Sequence, residues 1–198
     1  MIRQARDYIV FPLDVSSAGE AAGLVRILSG RVGMFKVGLE LFIAGGHRIL
    51  EVVRAEGDAK IFLDLKLHDI PATVGRAMER VAGLGAAFAT VHCGESRAML
   101  EAAVKSAGRK TGVLGVTLLT SVSGDDLQAA GFEQAYAADP EALVMKRAQT
   151  AYEAGCAGVV CSGRESAAVK KKFGARFVTM VPGIRPGWAV EGDDQKRV

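Results

Sequence analysis

The chain has 198 residues, of which 49% are hydrophobic and 24% charged, and its formal net charge at pH 7 is +3. This composition excludes disordered and fibrous proteins, and the length leads us to expect one domain over residues 1–198. The basic residues are scattered rather than gathered in a stripe, which disfavours nucleic acid as a partner and suits a phosphorylated small molecule.

Short apolar runs alternate with longer segments of helical periodicity along the whole chain. The predicted strands are residues 8–13, 34–37, 60–65, 88–91, 112–117, 158–161 and 176–180. The predicted helices are residues 18–28, 39–55, 71–83, 96–107, 140–154 and 163–172. Because the strands are almost continuously apolar, they are typical of parallel strands covered by helices.

This alternation suits either a closed (β/α)₈ barrel or an open doubly wound sheet. No GxGxxG turn follows the first strand, which disfavours the open dinucleotide-binding sheet. Polar residues instead recur at predicted carboxyl ends of strands, where barrel enzymes build their sites: Asp14, Lys36, Asp64, Lys66, His92, Thr120 and Arg185. We therefore predict a TIM (β/α)₈ barrel. We also expect its last βα unit to lie beyond Val198, so that the barrel is C-terminally incomplete.

The cysteines, the histidines and the apolar runs indicate the cellular compartment and whether a membrane or a metal is involved. Cys93, Cys156 and Cys161 are odd in number and lack CxxC spacing, which predicts a reducing cytoplasm. The sequence shows neither a signal peptide nor an apolar run of transmembrane length, so no membrane association is expected. The histidines have no metal-ligand spacing, and we expect neither a metal site nor a cofactor.

The segment with the most chemistry is the DxKxxD motif of Asp64, Lys66 and Asp69. Alternate side chains of a strand share a face, so Asp64 and Lys66 are expected to point together into the barrel at its catalytic end. Alone, such a pair serves equally well as a structural ion pair. The second carboxylate at the barrel mouth favours a functional array.

Residues 62–74, FLDLKLHDIPATV, resemble the signature of orotidine monophosphate decarboxylases. Asp14, the segments FKVG at 35–38, LTS at 119–121 and PGIRP at 182–186 also follow that family's order. The resemblance implies cofactor-independent decarboxylation of orotidine 5′-monophosphate to uridine 5′-monophosphate. It also implies a homodimer in which each active site is shared across the interface.

Carried onto this sequence, the resemblance implies a role for each matching residue. Lys66 is the implied proton donor, with Asp64, Asp69 and Lys36 completing a charged network. Asp14 and Lys36 are expected to hold the ribose, while Asp69, Ile70 and Thr73 reach the neighbouring subunit's site. The remaining implied contacts are Thr120 and Ser121 to the pyrimidine, Pro182 to the pocket wall, and Arg185 and Gln195 to the phosphate. The family's Gly-Arg pair after the eighth strand has no counterpart in the chain.

Two alternatives remain open at this stage. One is a magnesium-dependent sugar-phosphate decarboxylase or aldolase of the same suprafamily. Lys36 disfavours it, because an ammonium at that strand end repels a divalent ion. The other is a noncatalytic barrel that binds a phosphorylated metabolite, since a fold alone does not establish chemistry.

Overall fold

The computed structural model describes residues 4–184, in which seven parallel strands form one sheet in chain order. The strands are β1 (Val10–Pro12), β2 (Met34–Val37), β3 (Lys60–Leu67), β4 (Phe88–His92), β5 (Gly112–Val116), β6 (Gly158–Val160) and β7 (Val178–Met180). A doubly wound sheet would reverse its strand order at a switch point. The unbroken order is that of a (β/α)-barrel, and the predicted fold class is confirmed.

Helices connect successive strands, as parallel pairing requires. They are α1 (Ala18–Leu28), α2 (Leu39–Gly45), α3 (Arg48–Glu56), α4 (Pro71–Gly83), α5 (Arg97–Ala107), α6 (Gly124–Ala129), α7 (Gln134–Ala138), α8 (Pro140–Glu153) and α9 (Gly163–Phe173). Local signals explain several starts. Ser17 and Ser96 accept hydrogen bonds from the third backbone N–H of α1 and α5, and Pro71 and Pro140 begin α4 and α8. None of the helices within residues 4–184 has the length and apolar character needed to cross a membrane.

Several local predictions differ from the structure: β3 extends two residues beyond the predicted 60–65, β7 begins two residues later than the predicted 176–180, and three differences are larger. The helix predicted over 39–55 is broken into α2 and α3, because Gly46 takes a positive φ of 61° and its N–H closes α2 on Phe42. The first strand is shorter than predicted, since a 3-10 helix occupies Ala5–Tyr8. Two short unpredicted helices, α6 and α7, lie between β5 and α8, and α6 begins with a capping box of Ser123 and Asp126.

The sheet has two different faces, which determine where the polar site lies. The outer face packs against the helices through fully buried side chains such as Phe35, Leu63 and Val91. The inner face has a separate apolar cluster centred on Met34, Phe62 and Leu114. On β2, β3 and β4, the residues two positions after Met34, Phe62 and Phe88 lie on the same face and are polar: Lys36, Asp64 and Thr90. The apolar layer therefore supports a polar layer at the carboxyl ends of the strands.

Gly158 marks a place where the sheet has no room for a side chain. A Cβ added there would overlap the carbonyl oxygen of Val178 on the neighbouring strand β7. We expect Gly158→Ala to lower the free energy of unfolding by about 1–3 kcal/mol, because the backbone of β7 would have to move. Urea denaturation measures the change.

The matched control is Gly23→Ala within α1, where the added Cβ meets no atom within 4 Å. This variant should be more stable than the parent by about 0.5–1 kcal/mol, because alanine favours a helix interior. Equal stability changes for both variants would contradict the close packing of β6 against β7.

Candidate active site

Lys66 and Asp64 form an ion pair at the carboxyl end of β3. Lys66 Nζ donates a hydrogen bond to Asp64 Oδ2 at 2.8 Å. The Asp64 side chain is 12% exposed and that of Lys66 is 31% exposed, so the carboxylate lies inside while the ammonium reaches the barrel mouth. Taking both groups from water costs free energy, which hydrogen bonds must offset. The predicted meeting of these two side chains is present.

The backbone at Lys66 departs from the regular strand that the sequence predicts. Lys66 has a φ of 50°, the only positive φ of a non-glycine residue within residues 4–184. Leu63 pairs with Ala89 and Leu67 with Val91, so four residue steps of β3 span two steps of β4. This irregularity aims the Lys66 side chain, and strained backbone of this kind is concentrated at functional sites.

Lys36 and Asp14 form a second ion pair, at the ends of β2 and β1. Lys36 Nζ donates to Asp14 Oδ1 at 2.8 Å. Asp14 is the more exposed partner at 63%, whereas the Lys36 side chain is 22% exposed. Gly38 lies against this pair, and a Cβ there would stand 3.1 Å from Lys36 Nζ. The two ion pairs give this rim of the barrel two fixed ammonium groups with exposed access.

Asp69, Ile70 and Thr73 follow β3 at this rim, where the chain enters α4. Asp69 Oδ1 accepts the backbone N–H of Ile70 at 2.6 Å, at the start of α4. Within residues 4–184, the Asp69 carboxylate forms no ion pair with Lys36 or Lys66. Ile70 is 66% exposed, and Thr73 is half-buried in the first turn of α4. The structure therefore brings Asp64 into contact with Lys66, whereas Asp69 is exposed and accepts a hydrogen bond from the backbone of Ile70.

The other predicted contacts lie along the same rim where the structure describes them. Half-buried Thr120 and exposed Ser121 follow β5, and half-buried Pro182 follows β7. Because all strands are parallel, these positions share one end of the sheet with the two ion pairs. Arg185 and Gln195 lie outside the described residues.

Thr90 and Arg147 were not among the site residues predicted from the sequence, and His92 was predicted only to lie at the carboxyl end of a strand. The Thr90 hydroxyl on β4 accepts the Lys66 backbone N–H at 2.8 Å and donates to Asp64 Oδ1 at 2.9 Å. The His92 ring lies 5.2 Å from that of His68, and Arg147 on α8 donates to the Thr117 carbonyl at 2.7 Å. The signal for Thr90 was its position two residues after Phe88 on an inward face.

Burial lowers the pKa of His92, and the nearby His68, Lys66 and Arg147 lower it further in that order, while Asp64 opposes them. Burial also lowers the pKa of the Arg147 guanidinium, which nevertheless keeps its charge at neutral pH. Neutral His92 is therefore favoured beside a cationic rim.

A cavity of about 540 Å³ lies beside the two ion pairs' rim, between the segment that follows β4 and the helices α7 and α8. Cys93, Phe132 and Arg147 help to line it, but Asp64 and Lys66 do not. Within residues 4–184, no group of three His, Cys, Asp or Glu side chains is arranged to hold a metal ion. The two ion pairs, rather than this cavity, define the candidate active site.

A fixed ammonium beside a buried carboxylate can stabilise developing negative charge and deliver a proton to it. The fold and this site together define a (β/α)-barrel protein with ammonium–carboxylate pairs at the carboxyl ends of its strands. Such a site suits acid–base and electrostatic catalysis on an anionic ligand.

Comparisons with known proteins specify the family. Residues 7–198 match the model of the orotidine 5′-phosphate decarboxylase / HUMPS family. The chain is 53% identical to an orotidine 5′-phosphate decarboxylase of Desulfosudis oleivorans over 198 residues, covering 99% of the chain and 80% of the relative. A relative of the same name from Pelobacter propionicus is 40% identical, with 98% and 81% covered.

A solved structure agrees with this match. The crystal structure of orotidine 5′-phosphate decarboxylase from Lactobacillus acidophilus superposes with a TM-score of 0.80 at 32% sequence identity. The superposition covers 90% of this chain and 81% of that one. The chain belongs to the orotidine 5′-phosphate decarboxylase / HUMPS family.

The lowered pKa of His92 has a consequence for stability. Below about pH 6.5, the ordinary pKa of histidine, the unfolded chain binds a proton that folded His92 resists. The contribution of His92 to the free energy of unfolding is therefore largest above that pH. It falls as the pH decreases through 6.5 and levels off below the folded-state pKa. His92→Gln should remove this loss, so that the variant loses less stability than the parent between about pH 7.5 and 5.5.

Urea denaturation at several pH values measures this difference, and an NMR titration of the His92 ring should give a pKa below 6.5. Exposed His47, just before α3, provides a matched control for removal of an imidazole through His47→Gln. Identical losses of stability in the parent and in His92→Gln would contradict the effect of burial.

Proposed function

We propose that this chain decarboxylates orotidine 5′-monophosphate to uridine 5′-monophosphate, a step of de novo pyrimidine biosynthesis, without a metal or organic cofactor. The observation that carries the proposal is the Lys66 ammonium, held at 2.8 Å by buried Asp64 at the carboxyl end of the barrel. The family match and the 53% identity to a relative of that name support it.

Lys66 acts as the proton donor. Decarboxylation breaks the bond between the pyrimidine ring and its carboxylate, and the electron pair stays on the ring carbon while carbon dioxide leaves. No adjacent π acceptor delocalises this carbanion, so the site must stabilise it by charge and then protonate it. The Lys66 ammonium does both, and solvent returns the proton to Lys66 afterwards. Asp64 fixes the position of the ammonium through their hydrogen bond.

The substrate lies across the rim between the two ion pairs. Lys36 and Asp14 bind the ribose hydroxyls, for which their ammonium and carboxylate offer a donor and an acceptor at 2.8 Å from each other. Thr120 and Ser121 bound the pyrimidine, and Pro182 lines the pocket. Arg185 and Gln195, which lie outside the described residues, bind the phosphate.

The active enzyme is a homodimer in which Asp69, Ile70 and Thr73 of one subunit complete the site of the other. Two observations support this assignment: Ile70 is 66% exposed, and Asp69 is exposed and forms no ion pair with its own Lys66 within the described residues. An exposed isoleucine beside an exposed carboxylate suits an interface with an apolar centre. The odd number of cysteines, all of them buried, supports a cytoplasmic location.

The assay measures release of carbon dioxide and the ultraviolet absorbance change as orotidine 5′-monophosphate is consumed. The 198-residue chain is tested beside a fusion that continues it with the segment of the Desulfosudis oleivorans relative that follows the aligned region. Failure of both preparations to decarboxylate the nucleotide would overturn the proposal. EDTA should leave the rate unchanged. Loss of activity in EDTA with recovery in magnesium would instead favour the sugar-phosphate alternative.

Lys66→Ala should lower kcat at least about a thousandfold, because it removes both the proton donor and the charge that faces the carbanion. The matched control is Lys60→Ala, which removes an exposed ammonium from the other end of the same strand and should keep the parent's rate. A Lys66→Ala variant within about tenfold of the parent, a difference of about 1.4 kcal/mol, would refute the assigned role.

The shared site predicts complementation between inactive subunits. Lys66→Ala and Asp69→Ala homodimers should each be nearly inactive, because both of their sites carry a lesion. In a mixed dimer one site inherits both lesions and the other neither, so random assembly of equal amounts should restore about a quarter of the parental sites. Activity is measured after coexpression or co-refolding, with two tags to isolate the mixed dimers.

A control preparation combines two differently tagged Lys66→Ala subunits and should stay inactive. Purified mixed dimers without recovered activity would mean that Asp69 acts within its own chain.

A further inference from the structure

We infer that Thr90 is a positioning residue for Lys66, an inference that rests on the proposed function. The Thr90 hydroxyl belongs to a closed cycle of hydrogen bonds on the inner face of β3 and β4. Lys66 N–H donates to Thr90 Oγ1 at 2.8 Å, Thr90 Oγ1 donates to Asp64 Oδ1 at 2.9 Å, and Lys66 Nζ donates to Asp64 Oδ2 at 2.8 Å. Both the main-chain and the side-chain nitrogen of Lys66 are thereby held.

The irregular stretch of β3 makes this hydroxyl necessary. Between the pairs Leu63–Ala89 and Leu67–Val91, Thr90 is the single β4 residue opposite three residues of β3. A regular ladder would give the Lys66 N–H a backbone carbonyl, but here its partner is a side chain. The positive φ of Lys66 costs free energy, and it persists only where the surroundings favour it.

The chemistry of threonine matches the two demands at this point. A hydroxyl has one O–H donor and two acceptor lone pairs, so a single atom can accept from a backbone N–H and donate to a carboxylate. Thr90 is 0% exposed and Asp64 is 8% exposed, so water does not replace these contacts easily. Valine has the shape of threonine without the hydroxyl, and it would leave a buried N–H and a carboxylate oxygen each short of a partner.

The contacts of Thr90 indicate which kinetic constant should change when its hydroxyl is lost. Thr90 touches Asp64 and the Lys66 backbone, whereas the ion pair of Lys36 and Asp14 has its own hydrogen bond. Loss of the Thr90 hydroxyl should therefore misplace the Lys66 ammonium without removing the groups assigned to the ribose. Since a small misplacement of a reacting group is costly, the change should appear in kcat rather than in KM.

The test compares Thr90→Val, which lacks the hydroxyl, with Thr90→Ser, which keeps it. Thr90→Val should lower kcat at least about tenfold with KM for orotidine 5′-monophosphate changed less than about threefold. Thr90→Ser should stay within about threefold of the parent in both constants. The matched control is Thr111→Val, because buried Thr111 donates to the Ala86 carbonyl at the opposite end of the barrel. That variant should lose stability while keeping kcat.

Hydrogen–deuterium exchange tests the geometry without relying on turnover. The Lys66 amide should be protected in the parent, in Thr90→Ser and in Thr111→Val, and should exchange faster in Thr90→Val. Equal kcat in Thr90→Val and the parent, equal damage from serine and valine, or an unchanged Lys66 amide would each overturn the inference. An inactive parent would refute the proposed function alone, since the exchange of the Lys66 amide still decides the role of Thr90.

Discussion

Parallel pairing in strict chain order is the constraint on which the rest of this structure depends. It brings the carboxyl ends of seven strands to one rim, so residues as distant in sequence as Asp14 and Pro182 share that rim. The alternation of side chains within each strand then separates outward apolar residues from inward ones. Because the inner face is apolar at Met34, Phe62 and Leu114, the polar layer packs on one side against buried apolar side chains. Charges in that layer interact more strongly than charges in water.

The same constraint explains why the charged groups occur as pairs. Lys66 and Lys36 each hold a carboxylate at 2.8 Å, so neither ammonium is taken from water without an opposing charge. Each pair nevertheless leaves the ammonium partly exposed at the rim. Folding therefore orients the positive charge before any ligand arrives, and this arrangement makes electrostatic stabilisation effective in the proposed reaction.

The bulge at Lys66 places a strained backbone at the residue proposed to transfer the proton. In a regular strand, Lys66 would have a negative φ and its N–H would bond to a backbone carbonyl. In the structure, Lys66 has a positive φ and its N–H bonds to the Thr90 hydroxyl instead. The strand pairs with β4 on both sides of this departure, at Leu63 and at Leu67, and this pairing holds Lys66 in the strained conformation. A rigid barrel can thus hold one unfavourable residue in place, and that residue carries the proposed proton transfer.

The sequence by itself determined the fold class, most helix boundaries and the contact of Lys66 with Asp64. These features depend on local signals: apolar periodicity, serine caps, prolines at helix starts and the two-residue spacing on one strand face. The break at Gly46, the bulge at Lys66 and the partnership of Thr90 were decided only by the tertiary structure. Thr90 is 26 residues from Asp64, and the register between β3 and β4 alone brings their side chains together. The local sequence indicates the secondary-structure propensity of a segment and the strand face on which each residue lies, whereas the register between strands is set by the packing of the whole sheet.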